Sequence, residues 1–493
     1  MFALIQISIA VAAELNVPGS HATITGAIAA AQPGDRIVLA ELRFDEDIVL
    51  DGVDDLELVG AGPGTRLRGR KGPSVIRIRN SHQITLRDLR IEGASRRRGI
   101  EILGADVGEI LIEGVTIVDG DAALGGGVWI AAGEGVILRR VEITGATAIT
   151  GGGILVGPDA EVLVQQSVLS GNQARDGGGI HVEGQLSVDH TTFSDNAAAL
   201  GAGVDCLGAR CTVWDSAFQD NTAGRGAGVY VERGSAELVR NTFCRGSASH
   251  GEADAAGVML EDTTADLRNN VFLFGEVSSQ AGGVYLLGAG ASVTNNTFVG
   301  NVSGMNAGAI YVRGGSSRLE LTNTLIALNR SAPGSGALHT VQGGHAAGGY
   351  NLYWSNVSDD STEGPMVGDL AVDPLLTRLV QGDCSATDLH LRVGSPALAA
   401  GDPTIQNPDG GRSDIGAFGG PDALADLDGD GSYSDEDCDD SDPEIHPGAA
   451  EACEGIDKNC DGIVDLSSCE PEESELIRGS VGPRPAGCGC GGG

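Results

Sequence analysis

Positively charged residues are scarce in this chain of 493 residues, which has 31 Lys and Arg against 68 Asp and Glu. The resulting net charge of -37 excludes a general nucleic-acid-binding protein, because neutralising phosphate groups requires clustered Lys and Arg. The same charge disfavours docking to an anionic membrane surface. Divalent cations are therefore the expected partners of so acidic a chain.

Bulky side chains are also few, since Phe, Trp and Tyr make up 4% of the residues and there are 4 Met. The hydrophobic share of 41% must therefore form a core largely from Val, Ile, Leu and Ala. Glycine is abundant instead, with 78 residues, which is far above the usual level of about 7%. Beyond the N-terminus the sequence has no apolar run of about 18 residues, so it predicts no membrane-spanning helix.

The first residues have the features of a secretory signal. Residues 2–13 form an uncharged apolar run that ends in small residues before Glu14, although no Lys or Arg precedes it. We therefore predict a signal peptide over residues 1–13, and the alternative is a first strand or helix of the fold. The 10 Cys lack paired C-x-x-C zinc spacing, so we expect export to an oxidising compartment. Disulfides are expected between Cys206 and Cys211 and among the four Cys from 438 to 469.

A repeat of about 26 residues runs through the middle of the chain. Glycine-rich triplets such as 125–127, 151–153 and 177–179 each precede a short alternating strand pattern. A second strand pattern, first seen at residues 84–86, has the same period. Fixed self-similarity at this spacing indicates a solenoid, and units made only of strands and turns make it all-β. We expect about eleven coils from about residue 45 to 345, with stacked amides formed by Asn196, Asn221, Asn301 and Asn329.

Residues 22–39, ATITGAIAAAQPGDRIVL, resemble the start of the pectate-lyase-like family of right-handed parallel β-helices. The resemblance implies a right-handed parallel β-helix solenoid over residues 20–345, whose first coil is covered by a short amphipathic helix. It says little about activity. Hydrolases of this fold carry paired Asp with a Gly-His-Gly, and lyases carry Asp and Glu clusters with an Arg. Neither pattern is complete in this sequence.

Residues 346–420 have fewer repeats and several Pro. The motifs DPLL at 373–376 and DIGAF at 414–418 resemble the choice-of-anchor Q segment of bacterial surface β-helix proteins. The resemblance implies display at the cell surface, and we expect the segment to cover the last coil. Residues 470–493, rich in Gly, Pro and Cys, resemble the junction of a bacterial sorting signal and are expected to be a disordered tail.

Residues 421–469 form an acidic segment with two runs of alternate Asp or Asn followed by Gly. The first run has the spacing of a calcium loop, in which the Gly lets the chain reverse so that carboxylates converge on one cation. The segment also resembles the Cys-bearing metal-binding motif of exported bacterial proteins. Calcium is favoured because a cage of protein oxygens suits a large ion. The alternatives are a transition metal, or a solvated acidic linker that binds no metal. The predicted ligands are Asp426, Asp428, Asp430, Ser432, Asp437, Asp457, Asn459, Asp461 and Asp465.

The middle residue of each strand after a glycine triplet is expected to point outward, because its two neighbours point inward. Stacked over successive coils, these outward residues form one row along the solenoid, which we call the file. Aromatic side chains in the file could stack on sugar rings, or they could be strand-favoured residues on a solvated face. His181 and Asp205 are neighbours in the file, about 5 Å apart, and are the weak candidates for acid-base catalysis. The predicted ligand-binding residues are Trp129, His181, Tyr230, Tyr285 and Tyr311.

The sequence therefore favours an exported or cell-surface protein with a structural or glycan-binding role and a calcium-binding C-terminal segment. The alternative is a polysaccharide-active enzyme, a lyase, epimerase or hydrolase, that works in a groove along the β-helix. A groove lined by at least three outward acidic or Arg side chains on adjacent coils would favour the enzyme. A flat flank of Gly, Ala and Thr would favour the structural or binding role.

Overall fold

The computed structural model describes residues 12–93, 96–104, 106–248, 254–333, 335–357, 361, 364–424, 437–439, 441–450 and 456–460. The chain divides into two compact units, Met1–Ala423 and Leu424–Gly493. The described part of the first unit is a parallel β-helix, as the repeat predicts. The described residues contain no helix with the length and apolarity needed to span a bilayer.

The first sheet contains 24 strands, which form two adjoining columns of parallel rungs. Its strands are β1 Glu14–Val17, β2 Arg36–Leu39, β4 Ile48–Asp51, β5 Asp54–Val59, β7 Ser74–Arg79, β8 His82–Arg87, β10 Arg98–Leu103, β11 Gly108–Glu113, β13 Val128–Arg139, β15 Ile154–Gln165, β17 Ile180–Val182, β18 Gln185–Asp189, β21 Val204–Leu207, β22 Arg210–Trp214, β25 Val229–Glu232, β26 Ser235–Val239, β29 Val258–Glu261, β30 Thr264–Arg268, β33 Val284–Leu287, β34 Gly290–Thr294, β37 Ile310–Arg313, β38 Arg318–Thr322, β40 Leu338–Val341 and β41 His345–Gly349.

The second sheet has 13 strands, one for each coil. They are β3 Arg43–Asp45, β6 Arg66–Arg68, β9 Arg90–Glu92, β12 Thr116–Val118, β14 Glu142–Thr144, β16 Val168–Ser170, β19 Thr192–Ser194, β23 Ala217–Gln219, β27 Thr242–Cys244, β31 Val271–Leu273, β35 Thr297–Val299, β39 Leu325–Ala327 and β42 Leu352–Trp354. The expected eleven coils are thus too few, because the first rungs lie before the glycine-marked repeat and carry no triplet.

A third, smaller sheet of 5 strands lies at another corner, and a two-stranded antiparallel hairpin follows the coils. The third sheet comprises β20 Ala197–Leu200, β24 Thr222–Arg225, β28 Ser247–Ala248, β32 Glu276–Val277 and β36 Val302–Ser303, and the hairpin comprises β43 Leu376–Arg378 and β44 Asp388–Leu391.

The predicted N-terminal helix is present as α1, Ile24–Ala30. Thr23 caps it, since its side-chain oxygen accepts a hydrogen bond from the backbone N–H of Gly26 at 3.0 Å. Ile24 and Ala27 are fully buried against the first coils. An amphipathic helix therefore shields the otherwise open edge of the solenoid.

Inward-facing residues of all coils merge into one continuous hydrophobic core. At the inner face of the second sheet the side chains stack directly above each other, with ring centroids 4.4 to 4.7 Å apart. The stacked rings are Phe193, Phe218, Phe243, Phe272 and Phe298. Glycine makes room for them: a Cβ at Gly179 would lie 2.5 Å from the Gly203 carbonyl oxygen and 2.9 Å from the Phe193 ring.

Buried asparagines form ladders at the corners, as the recurring Asn residues predict. Asn172, Asn196 and Asn221 are linked by amide-to-carbonyl bonds of 3.1 Å, and Asn301 is bonded to Asn329 at 2.9 Å. Each Asn also satisfies backbone groups of neighbouring coils, which would otherwise be buried without partners. These ladders fix the vertical register of the coils.

Replacing Asn196 by Ala should strongly destabilise the β-helix. The Asn196 side chain accepts from the Asn172 backbone N–H at 3.0 Å and donates to the Leu169 carbonyl at 2.8 Å. Truncation leaves both groups buried and unpaired, at about 1–3 kcal/mol each. The urea midpoint of unfolding should fall clearly. Asn16→Ala, at an exposed asparagine, serves as the control and should leave the midpoint unchanged.

The chain after the coils runs back along the side of the β-helix. Ser361, Val367 and Leu370 still form parallel bridges to the last coil. Residues 371–422, which we call the strap, then cover the outer face of the second sheet at its C-terminal rungs. Apolar strap residues pack there on Leu273, Val299 and Leu325 in a separate buried cluster.

Polar contacts also hold the strap to successive coils. Asn269 donates to the carbonyls of Ala417 and Gly419, at 2.8 and 2.7 Å. Asn295 and Asn323 both bond to Ser413 at 3.1 Å. A disulfide between Cys244 and Cys384, which the sequence analysis did not anticipate, ties the hairpin region to the fold. The predicted Cys206–Cys211 disulfide is also present.

Candidate active site

The outward file of the first sheet is continuous and in register. Leu155, His181, Asp205, Tyr230 and Met259 pair one above the other on consecutive rungs. Their neighbours along each strand point into the core, so the predicted alternation is observed.

The file is nevertheless not the solvated stripe that was expected. Tyr230 and Tyr285 are 1% exposed and Tyr311 is 5% exposed. They form a further buried cluster with Met259 and with three alanines of the glycine-marked turns, Ala255, Ala281 and Ala307. The small alanine side chains pack against the tyrosine rings and help to cover them. Because these rings are buried, they are not available to stack on a sugar.

The other predicted aromatic, Trp129, is half-buried. The guanidinium carbon of Arg98 lies 4.6 Å from the centre of its ring. Arg98 in turn pairs with the buried carboxylate of Glu101, on the same rung. The face of Trp129 is therefore covered by a cation rather than left free for a ligand.

His181 and Asp205 form a buried pair on adjacent rungs. The Nδ1 atom of His181 lies 2.7 Å from Oδ2 of Asp205, and the residues are 3% and 2% exposed. Because a carboxylate only accepts, Nδ1 carries the proton in the neutral imidazole and Nε2 carries the lone pair. Nε2 and the second Asp205 oxygen, Oδ1, have no hydrogen-bond partner among the described residues. Nε2 lies 3.6 Å from a Glu183 carboxylate oxygen.

The pKa values of this pair are shifted by opposing effects. Burial lowers the pKa of His181, but its hydrogen bond to Asp205 and the negative charge of that carboxylate raise it above the ordinary histidine value overall. Burial raises the pKa of Asp205, against the opposing effect of the His181 hydrogen bond. The two groups interact strongly enough to titrate as a coupled pair.

A pocket of about 370 Å³ opens beside the pair. It spans the rungs of β17, β21 and β25, and its polar lining comes from three successive coils. One side of the pocket is lined by residues that directly precede the glycine triplets. The other side is lined by residues at the ends of β21 and β25. The lining residues are Arg175, Asp176, His181, Ala199, Leu200, Asp205, Leu207, Tyr230, Glu232 and Arg233.

Charged side chains therefore converge on one groove from adjacent coils. Arg175 pairs with Asp176 at 2.6 Å, and Arg233 pairs with Glu232 at 2.9 Å. Both arginines are largely exposed, so their outer N–H groups can bind an incoming ligand. This arrangement matches the feature that the sequence analysis set as favouring an enzyme.

A second hydrogen-bonded cluster closes the pocket on the side of Tyr230. The Tyr230 hydroxyl donates to Oε2 of Glu261 at 2.6 Å, and Arg225 binds the same carboxylate at 2.8 Å. Arg225 also pairs with the buried Asp254. Burial and the hydrogen bond to Glu261 raise the pKa of Tyr230, so the residue stays a protonated phenol.

The sequence analysis missed most of this lining. It singled out the file residues but not the charged residues beside them. A signal for them exists: Asp176 lies directly before a glycine triplet, and Glu232 and Glu261 are the last residues of their strands, β25 and β29. Residues directly before a triplet and at the ends of these strands therefore mark the edges of the groove.

Another group of potential metal ligands lies on a different corner. Asp189, His190 and Asp215 have ligand atoms within 4.8 Å of one another, and His190 is exposed. The Asp215 carboxylate is held by Arg240 through bonds of 2.6 and 2.7 Å. Its charge is thus already compensated within the protein.

The described residues of the second unit include part of the predicted metal segment. A disulfide joins Cys438 to Cys460, and the Cys438 backbone N–H also donates to the Cys460 sulfur at 3.1 Å. Asp437 is 8% exposed, and its Oδ2 atom has no hydrogen-bond partner among the described residues. A buried carboxylate oxygen of this kind suits a cation ligand. Asp457 and Asn459 lie just before Cys460, which the disulfide joins to Cys438, the residue next to Asp437. Outside the described residues lie the predicted ligands Asp426, Asp428, Asp430, Ser432, Asp461 and Asp465.

The fold and these two sites define a β-helix protein with a C-terminal metal-binding motif. Residues 74–243 match the family described as right handed beta helix region. Residues 437–465 match the Cu-binding MopE family, described as a metal-binding motif. The chain is accordingly a right-handed parallel β-helix protein with such a motif. The resemblance of residues 346–420 to a choice-of-anchor segment stays a prediction.

The solved structures that match this chain include two lyases and an epimerase. A mutant of the PL6 family alginate lyase AlyGC is 13% identical, with a TM-score of 0.47, and the match covers 78% of this chain and 57% of the lyase. The A-module of the mannuronan C-5 epimerase AlgE6 from Azotobacter vinelandii is 14% identical, with a TM-score of 0.33 and coverages of 71% and 94%. Pectate lyase Pel9A is 12% identical, with a TM-score of 0.35 and coverages of 83% and 97%.

With TM-scores below 0.5 these matches carry no argument about this chain, and the match spans little more than half the length of the alginate lyase. No curated protein matches the sequence.

Proposed function

We propose that the chain is an exported, polysaccharide-active enzyme in which His181 transfers protons at a bound sugar chain. The observation that carries the proposal is the buried His181–Asp205 pair, which lines an open, charged pocket and whose remaining imidazole nitrogen is buried without a hydrogen-bond partner among the described residues. Unsatisfied buried polar atoms are costly, so their presence in a pocket favours a functional role.

The pocket favours catalysis over the structural or glycan-binding role that the sequence favoured. Tyr230, Tyr285 and Tyr311, which were to bind sugars by stacking, are buried and hydrogen-bonded or packed within the protein. The charged side chains instead converge near His181. Three disulfides support export to an oxidising compartment.

The chemistry follows from the protonation states of the pair. Neutral His181 has its lone pair on Nε2 and can accept a proton from a sugar carbon or from a water molecule. Asp205 holds the ring in this tautomer and stabilises the imidazolium that forms, as carboxylates do in other buried pairs. Tyr230 stays protonated and helps to fix the carboxylates at the edge of the pocket.

The proposal is tested by incubating the full chain with alginate, polygalacturonate and α-1,3-glucan. New reducing ends report cleavage, ultraviolet absorbance of an unsaturated product reports elimination rather than hydrolysis, and proton NMR reports epimerisation. We expect turnover of at least one polymer. Binding without any turnover would contradict the enzyme proposal and support the glycan-binding role.

For the C-terminal segment we propose a structural divalent cation, with calcium as the expected ion. Asp437, Asp457 and Asn459 supply oxygen ligands that the Cys438–Cys460 disulfide holds in one stretch of the second unit. Hard oxygen ligands are typical of calcium sites, whereas the family name points to copper.

Replacing Asp437 by Asn should weaken cation binding by about tenfold or more, because one charged ligand is lost. Titration calorimetry of the full chain with calcium and with copper measures the effect and identifies the ion. Glu444→Gln provides a control, since Glu444 is exposed and pairs with Lys458. Equal affinities of the Asp437 variant and the parent for both ions would contradict the assignment.

A further inference from the structure

Both arginines that line the pocket beside His181 already have a carboxylate partner. Arg175 pairs with Asp176 at 2.6 Å, and Arg233 pairs with Glu232 at 2.9 Å. A ligand carboxylate can bind either guanidinium only by sharing it with that partner or by displacing the partner. The summed charge of each pair is zero, so the arginines offer a ligand hydrogen bonds without a surplus of positive charge.

A third arginine, next to the pocket, is bound in the same way. Arg225 pairs with both Asp254 and Glu261. The Tyr230 hydroxyl, which lines the pocket, also donates to Glu261 and stays protonated. Arg225 therefore has no unshared positive charge for a ligand either.

Negative charge is in excess directly at the imidazole. Asp205 lies 2.7 Å from Nδ1 of His181, and a Glu183 carboxylate oxygen lies 3.6 Å from Nε2. Among the described residues, Glu183 forms no ion pair with Lys or Arg. Even when His181 is protonated, the charge of the His181–Asp205 pair is only zero. Glu183 then leaves this end of the pocket negative.

The carboxylates of the pocket also act on each other. Burial raises the pKa of Asp205, and the negative charges of Asp176 and Glu232 raise it further, against the opposing hydrogen bond from His181. Such a shift means that the potential at this point favours a proton over a negative charge. The same potential disfavours a ligand carboxylate in the pocket.

A divalent cation could reverse this charge balance if the pocket held the ligands for one. Among the described residues, three potential ligand atoms come within 4.8 Å of one another at Asp189, His190 and Asp215. None of these residues lines the pocket. The described lining residues therefore form no preassembled cation site that could bridge the protein to a sugar carboxylate.

We infer that the pocket binds a neutral sugar chain and not a polyuronate. The hydroxyl groups of a neutral sugar can donate to the carboxylates of the pocket and accept from the outer N–H groups of Arg175 and Arg233. Such a ligand meets no charge repulsion. The inference names the substrate class of the proposed enzyme and therefore rests on the proposed function.

Matched pairs of oligosaccharides test the inference. Oligosaccharides of alginate and of polygalacturonate are compared with the same chains after chemical reduction of every carboxyl group to a hydroxymethyl group, and α-1,3-glucan oligosaccharides are added as a further neutral probe. Each pair differs only in charge. Titration calorimetry uses the His181→Gln variant, so that turnover does not consume the ligand, and is run with calcium and with a chelator.

The neutral chains should bind about tenfold or more tightly than their acidic parents at low ionic strength. The difference should shrink in about 1 M salt, where the screening length is about 3 Å. Acidic chains that bind as tightly as their reduced forms, or more tightly, would overturn the inference. The same holds if they do so only with calcium, because a cation would then supply the missing positive charge.

A glutamate variant tests whether the repulsion arises in the pocket. Glu183→Gln, added to the same His181→Gln background, should raise the affinity for acidic chains relative to neutral ones about threefold or more. Glu320→Gln is the matched control, because Glu320 is an exposed glutamate of β38, on a distant coil. Equal ratios of acidic to neutral affinity in the two variants would contradict the inference.

Turnover by the unmodified chain separates failure of the inference from failure of the function. Turnover of an acidic polymer, but of no neutral one, would overturn the inference and leave the enzyme proposal intact. Tight binding of neutral chains without turnover of any polymer would support the inference about the pocket and contradict the enzyme proposal. Binding of none of the oligosaccharides, together with turnover of none of the polymers, would overturn both.

Discussion

Replacing His181 by Gln should lower the turnover number of the proposed reaction by about 10²–10⁴-fold, the usual contribution of a positioned general acid or base. Glutamine keeps polar atoms near Asp205 but has no group that exchanges a proton at neutral pH. The turnover number is measured together with the melting temperature. A variant with the parent's melting temperature and a strongly reduced rate would confirm the role of the imidazole.

His190 offers a matched control for this substitution. Its Nδ1 atom lies 2.6 Å from an Asp189 oxygen, a geometry close to that of the His181–Asp205 pair. His190 is exposed, however, and it is not among the residues that line the pocket. His190→Gln should leave turnover unchanged. Comparable losses in both variants would show that the effect at His181 is not specific to the pocket.

The pH dependence gives a readout that a structural role would not change. Asp205 raises the pKa of His181, so the neutral, proton-accepting imidazole is populated only at higher pH. The value of kcat/KM should therefore rise with pH through this pKa. Asp205→Asn removes the negative charge and lowers the pKa of His181, so the rise should move to lower pH. An unshifted profile in this variant would contradict the pairing.

The repeat was predictable from the sequence because one coil cannot fold alone and must present the same pattern to its neighbours. The period, the alternation of each strand and the asparagine ladders all follow from this requirement. The burial of the tyrosines could not be predicted in the same way. Strand alternation shows only that the side chains of Tyr230 and Tyr285 point away from the core. Whether a neighbouring turn covers them depends on side-chain size in that turn. Ala255, Ala281 and Ala307, which occupy the same register position in successive glycine-marked turns, were the signal.

The path of the strap also had a signal in the sequence. Along the outer face of the second sheet, the third residue of each strand is polar in the middle of the protein, as in Thr144, Ser170 and Gln219. It becomes apolar from the later rungs onward, as in Leu273 and Val299, where the strap packs. A solvated strand face has no need of such residues. A change from polar to apolar along one file therefore indicates a covering segment.

Loss of the Cys244–Cys384 disulfide should have the largest effect on stability of any change to the strap. This bond closes a loop of 140 residues, for which the chain-entropy model gives about 5 kcal/mol, and measured losses for native disulfides are about 2–5 kcal/mol. The double variant Cys244→Ser, Cys384→Ser should lower the urea midpoint of unfolding. Hydrogen exchange should show faster opening of residues 376–422 than of the coils, because only the strap loses its covalent tie.

The Cys206–Cys211 disulfide provides the comparison, since its separation is 5 residues and the same model gives about 2 kcal/mol. Both of its cysteines face the core, so Ala replacements remove the bond without adding a buried hydroxyl. If the strap is held chiefly by Asn269, Asn295, Asn323 and its apolar cluster, the two disulfide variants will show equal protection of residues 376–422. That result would contradict the covalent tie as the main restraint, and would assign the strap's stability to the asparagine file that meets it on three successive coils.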